Sequence, residues 1–154
     1  KLALFQEAER LLDDILTKSE EHFGADSFEV GFALTSMLMV RLEYCPAEPA
    51  TSTMDIALRA AGVYRRMELK EIRVPEYFLS SCQTAHVLVA CYSDFVLGKT
   101  SITQDEQRRL VQAADFLIKE SRKCQQRIDK ESRDINIDNL LDQTEALFLL
   151  IISK

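Results

Sequence analysis

Along nearly the whole chain, apolar residues return at three- and four-residue steps, and only four glycines and three prolines interrupt them. That spacing puts side chains on one face of a helix, and the two-residue alternation of a half-buried strand is almost absent. The chain therefore reads as all-α. In the first segment Leu4, Phe5, Ala8, Leu11, Leu12, Ile15 and Leu16 form an apolar stripe between Glu, Arg, Asp and Lys residues, which predicts a helix over 2–23.

Gly24 is the expected left-handed stop of that helix, and Asp26 with Glu29 three residues later has the pattern of a capping box opening a second helix over 27–44. This second helix is apolar almost all round, with Phe28, Val30, Phe32, Leu34, Met37, Leu38, Met39, Val40 and Leu42 leaving few positions for water. It is expected to lie between neighbours. Pro46 and Pro49 forbid helix around them, because proline lacks an amide hydrogen and disfavours helix in the residue before it.

A third helix is predicted over 53–70 on Met54, Ala57, Leu58, Ala61 and Tyr64, and a fourth from Pro75, suited to a first turn, to Gly98. Thr103 and Glu106 form a second capping-box pattern. It opens a long fifth helix carried to 131, polar enough beyond Leu117 that its far end is expected to project. Asn136 or Asp138 starts a sixth, whose buried side is Leu140, Leu141, Thr144, Leu147, Phe148 and Ile151.

Short links between six helices favour antiparallel neighbours, so the expected architecture is three stacked helical hairpins forming an αα-superhelix, with a closed helical bundle as the alternative. Small residues at Ala57, Ala60, Ala61 and Gly62, at Ala85 and Ala90, and at Ala113 and Ala114 suit close helix approach and favour stacking. At 154 residues the chain fits a single domain over 1–154, able to bury about 70% of its unfolded surface without a metal or disulfide.

The formal charge of −6 argues against nucleic acid or an anionic membrane as the main partner, since phosphate contacts need surplus Lys and Arg. Cationic residues crowd between Arg108 and Lys130, but Asp105, Glu106, Asp115, Glu120, Asp129 and Glu131 are interleaved with them, as on a solvated helix face. The four cysteines, Cys45, Cys82, Cys91 and Cys124, stand singly, which favours a reducing cytoplasmic or nuclear setting. No apolar run approaches the ~20 residues of a membrane span. Lys1 is not a methionine, no signal-type segment follows it, and the last apolar helix runs to the end, so the chain is expected to be a piece of a larger intracellular protein.

Over residues 8–68, the stretch from Ala8-Glu9 with Leu11 and Leu12, through Phe23-Gly24 and Asp26, to Val30, Leu34 and the pair Ala57-Leu58 resembles a tetratricopeptide repeat of the kinesin-light-chain type. The family's Gly-x-Tyr turn is replaced here by Pro46 to Ser52, and the matching alanines Ala8, Ala57 and Ala114 are 49 and 57 residues apart, against ~34 in the ordinary repeat. The resemblance implies a superhelix whose concave wall grips a partner's peptide or helix. It also implies that the second, fourth and sixth helices line that wall, so their unburied polar residues are the candidate partner-binding set: Ser36, Arg41, Gln83, His86, Asn139 and Gln143. Arg41 leads the set because a lone Arg in an apolar helix must reach an anion or the surface, whether on a partner or on a nearby Glu. The Lys and Asn set that clamps a terminal carboxylate in chaperone-binding members has no counterpart here.

Chemistry finds little footing. Cys82 and His86, four apart on one helix, have the spacing of two metal ligands, but further ligands would have to come from His22, Cys45 or Cys124 far along the chain. A Cys within an apolar helix also has nothing to lower its pKa. The carboxylate pairs Asp13-Asp14 and Glu20-Glu21 are adjacent and point to different helix sides, and the four glycines stand apart, so no phosphate loop exists. The chain is therefore expected to be no enzyme and to take no metal or cofactor. It is expected to be an interaction scaffold or adaptor for another protein; the alternative is a helical regulatory or substrate-positioning domain of a larger enzyme. Self-association through exposed apolar ends is a further outcome the pattern allows.

Overall fold

The computed structural model describes residues 2–44 and 50–153. It holds six α-helices: α1 (Leu2–Phe23), α2 (Phe28–Tyr44), α3 (Ala50–Arg66), α4 (Val74–Val96), α5 (Gln104–Arg127) and α6 (Ile135–Ile152), with single 3-10 turns at Glu71–Arg73 and Lys130–Ser132. Among the described residues there is no strand, and no helix is long and apolar enough to cross a membrane. Cys45, Pro46 and Pro49 lie outside the described residues. The chain divides into two compact units, Lys1–Leu69 and Lys70–Lys154. The predicted hairpin of the third and fourth helices falls across that division, and each unit is described by itself.

Local chemistry accounts for the ends of the helices. Gly24 closes α1 with a φ of 89° and Gly98 closes α4 with a φ of 75°, both in the left-handed region that a side chain disfavours. The cap of α2 is Ser27, whose Oγ accepts from the Val30 amide at 3.3 Å, rather than the predicted Asp26, which instead pairs with Arg66 on α3. At α5 the predicted capping box is present: Thr103 Oγ1 accepts from the Glu106 amide at 3.1 Å, and Glu106 Oε1 accepts from the Thr103 amide at 3.0 Å. Asp134 caps α6 by accepting from the Asn136 amide at 2.8 Å, so that helix begins one residue before the earliest predicted start.

α3 starts three residues earlier than predicted and ends four earlier. It turns helical as soon as the two prolines are past, and the chain is already extended at Lys70 ahead of Pro75, which lies in the first turn of α4. α5 also ends four residues short of the predicted 131. There the Arg133 guanidinium takes the freed carbonyls of Gln125 and Ile128 at 3.1 and 3.2 Å, doing the job of a further helical turn.

In the first unit α2 packs against both α1 and α3, and its buried set includes Val30, Ala33, Leu34, Met37 and Leu38. α2 meets α3 closely because Gly31 faces the Tyr64 ring, while Tyr64 Oη and Thr35 Oγ1 share a buried 2.7 Å hydrogen bond. In the second unit α4 packs against α5 and α6, and α5 also meets α6. Here α5 does not project beyond Leu117: Ser121 and Cys124 are fully buried, and Ser121 Oγ bonds Ser81 Oγ of α4 at 2.8 Å. Of the two residues between them, Arg122 meets a neighbour, reaching Asp142 and Glu145 of α6 at 2.9 and 2.8 Å, while Lys123 stays exposed and pairs with Glu120 of its own helix.

Two measurements check this packing. A Cβ at position 31 would lie 2.9 Å from Cδ1 and 3.0 Å from Cζ of Tyr64, and the ring cannot retreat without giving up Thr35. Gly31→Ala is therefore expected to cost about 1–3 kcal/mol in urea unfolding despite its better helix propensity. At Asp138, desolvation raises the carboxyl pKa, but hydrogen bonds from Gln125 and Arg133 and the charges of Arg133 and Arg122 outweigh it and hold the group below its ordinary 3.8. A depressed carboxylate contributes stability above its unfolded pKa and loses it as pH falls through the folded value. The melting-temperature gap between wild type and Asp138→Asn should thus be constant near neutrality and close only below 3.8.

Candidate functional site

Of the six predicted partner-binding residues, two lie on α2, and they occupy different sides of it. Arg41 faces inward: its Nε lies 3.0 Å from Glu9 Oε1 of α1, its Nη2 reaches Glu9 Oε2 at 3.4 Å, and its Nη1 donates to Ser52 Oγ of α3 at 2.8 Å. With side chains only 15% and 18% exposed, Arg41 and Glu9 form a largely desolvated ion pair that ties all three helices of the first unit. The anion a lone Arg requires is thus supplied within the chain. Ser36 lies on the opposite flank of α2, half-exposed, its hydroxyl donating to the Phe32 carbonyl at 2.9 Å.

The other four belong to the second unit. Gln83 and His86 stand one turn apart on the least buried side of α4, with His86 exposed and Gln83 half-buried. Partial desolvation lowers the His86 pKa below the usual imidazole value, so the ring is neutral at pH 7. Asn139 and Gln143 are exposed on the outer face of α6, which continues at helical spacing into exposed Ala146 and Leu150, with Leu149 beside them.

Among the described residues the thiols are held protonated. Burial pushes Cys82 up to about 12, only partly opposed by a hydrogen bond with Ser121, and burial pushes Cys91 and Cys124 up to about 11. A protonated thiol is neither nucleophile nor metal ligand. Among the described residues no group of three or more His, Cys, Asp or Glu side chains could hold a metal ion.

The surface the sequence reading did not single out is the open side of the α1–α2 hairpin. α1 turns Phe5, Leu16 and Ser19 inward, yet Leu4, Leu11 and Ile15 on the same apolar arc remain 69%, 48% and 51% exposed. On α2, Phe32 is 42% exposed, and Ser36, Met39 and Val40 are half-exposed. The ion pairs fix where these residues point. Ser52 of α3 accepting from Arg41, and Arg59 of α3 pairing with Glu20, set α3 against one side of the antiparallel hairpin. The helical positions of Leu11, Ile15, Ser36 and Val40 then fall together on the other. The signal was present in the sequence as an apolar arc on the first helix wider than one neighbour can cover, next to a helix apolar on every side.

No family model matches the chain, and neither a curated protein nor a solved structure is found to be similar to it.

Arg41→Glu would set two carboxylates against each other in a desolvated position. It should lower stability by about 2 kcal/mol, and the charge-swapped pair Glu9→Arg with Arg41→Glu should recover part of that loss, as read by chemical denaturation.

Proposed function

We propose that this chain is a protein–protein interaction module, a scaffold or adaptor of tetratricopeptide-like design whose hairpins hold a peptide or helix of a partner protein. The observation that carries this reading is the open apolar side of the α1–α2 hairpin. Leu4, Leu11, Ile15 and Phe32 lie exposed there beside half-exposed Met39 and Val40, with Ser36 among them as a polar anchor. Contiguous apolar surface on a folded protein costs solubility and typically marks a surface that another molecule covers. An apolar helix face is also the usual receptor for the apolar face of a second helix. The outer face of α6, running from Asn139 and Gln143 to Leu149 and Leu150, supports the same reading in the second unit. Cys82, Cys91 and Cys124 are free thiols, which suits an intracellular setting.

The reading is tested by comparing the proteins retained from cell extract by the wild-type chain and by the double variant Leu11→Ser, Ile15→Ser. Both positions are exposed, so the melting temperature should stay within the change produced by about 0.5 kcal/mol, while a protein retained by the wild type is lost from the variant. Identical retained sets would remove the α1–α2 face from the function.

A further inference from the structure

Resting on that reading, the charge distribution around the open α1–α2 face selects among partners. The apolar row carries no Lys or Arg of its own, and a glutamate stands toward each end of α2: Glu29 near the turn into the helix and Glu43 in its last turn. These two are 14 residues apart, about 21 Å along the helix. On the outer edge of α1, Glu7, Asp14 and Glu21 recur every seven residues along one line, interrupted by Lys18. Arg10, the other cation there, is occupied by Glu7 at 2.6 Å and Asp14 at 3.4 Å. Around the rim, among the described residues, Glu7, Asp14, Glu21, Glu29 and Glu43 therefore stand against Lys18 and Arg10. The chain as a whole carries −6, so an approaching acidic segment is repelled both at long range and at the rim.

We propose that this face docks one amphipathic helix of a partner protein whose apolar stripe is edged by Lys or Arg, with basic residues toward both ends of a stretch of about four turns. The partner's stripe covers Leu4, Leu11, Ile15 and Phe32, and its cations meet Glu29, Glu43 and the α1 edge. An acidic helix or a second copy of this chain would bring carboxylates against carboxylates. A solvated acidic edge beside an idle apolar face would make no distinction between cationic and acidic ligands.

The test uses the 154-residue chain and three synthetic helical peptides of about 18 residues, long enough to span the two glutamates. One has a Leu stripe edged by Lys, one has the same stripe edged by Glu, and one keeps the Lys residues with Ser in place of Leu. Binding is followed by amide chemical shifts and fluorescence anisotropy. The Lys-edged Leu peptide should shift amides of α1 and α2 and outbind the other two. Its affinity should fall about fivefold in Glu29→Gln with Glu43→Gln, and fall further with added salt. Equal or tighter binding of the Glu-edged peptide would overturn this inference and leave the broader docking reading standing. Shifts confined to other helices, or none with any peptide, would overturn it too, and the retained-protein comparison then decides the broader reading by itself. A dimer in sedimentation that is lost in Leu11→Ser, Ile15→Ser would overturn it by assigning the face to a second copy.

Discussion

A helix that is apolar on every side has to be covered on every side, and two neighbours cannot cover it all. α2 is such a helix. α1 takes the side bearing Arg41, and α3 takes the side bearing Gly31 and Thr35, which leaves Phe32, Ser36, Met39 and Val40 exposed or half-exposed. The geometry of the first unit follows from this shortage of cover. So does its most distinctive surface, because the same hairpin also leaves part of α1's apolar arc without a neighbour.

Charge decides which side of the hairpin is closed. Arg41 with Glu9 and Ser52, Arg59 with Glu20, and Arg66 with Asp26 all draw α3 to one side. The first pair is the strongest determinant because it is the most desolvated: a largely buried guanidinium left without its anion costs far more than a surface ion pair gains. Glu20 and Asp26 stand at the other end of the hairpin and repeat the same preference at exposed positions, where each contributes little.

The second unit solves a different problem. α5 is rich in charge, yet its Ser121 and Cys124 side is buried, and the helix avoids stranding Arg122 by meeting two carboxylates of α6. Arg133 then ends α5 by taking its carbonyls while holding Asp138, so the cap of one helix and the docking of the next use one guanidinium. The buried thiols of Cys82 and Cys124 sit in this packing as small apolar groups beside Ser81 and Ser121, and that burial is what raises their pKa values.

The residue pattern by itself determined that the chain is helical, where the helices lie to within a few residues, and which turns need Gly24, Gly98 and Thr103, because periodicity, left-handed stops and capping are interactions over three or four neighbouring residues. It did not determine that Ser27 rather than Asp26 caps α2, or that α5 stops at Arg127. Those depended on Arg66 and Arg133, which compete for the groups from 40 and 5–8 residues away in the chain. Arg41 is the clearest case among the candidate site residues: its isolation in an apolar helix was plain from the sequence, but whether its anion was Glu9 or a partner's carboxylate depended on a helix 32 residues earlier folding back alongside it. Only tertiary structure decided which apolar residues are core and which are surface, since a helix's periodicity marks its apolar arc but not how many neighbours arrive to cover it.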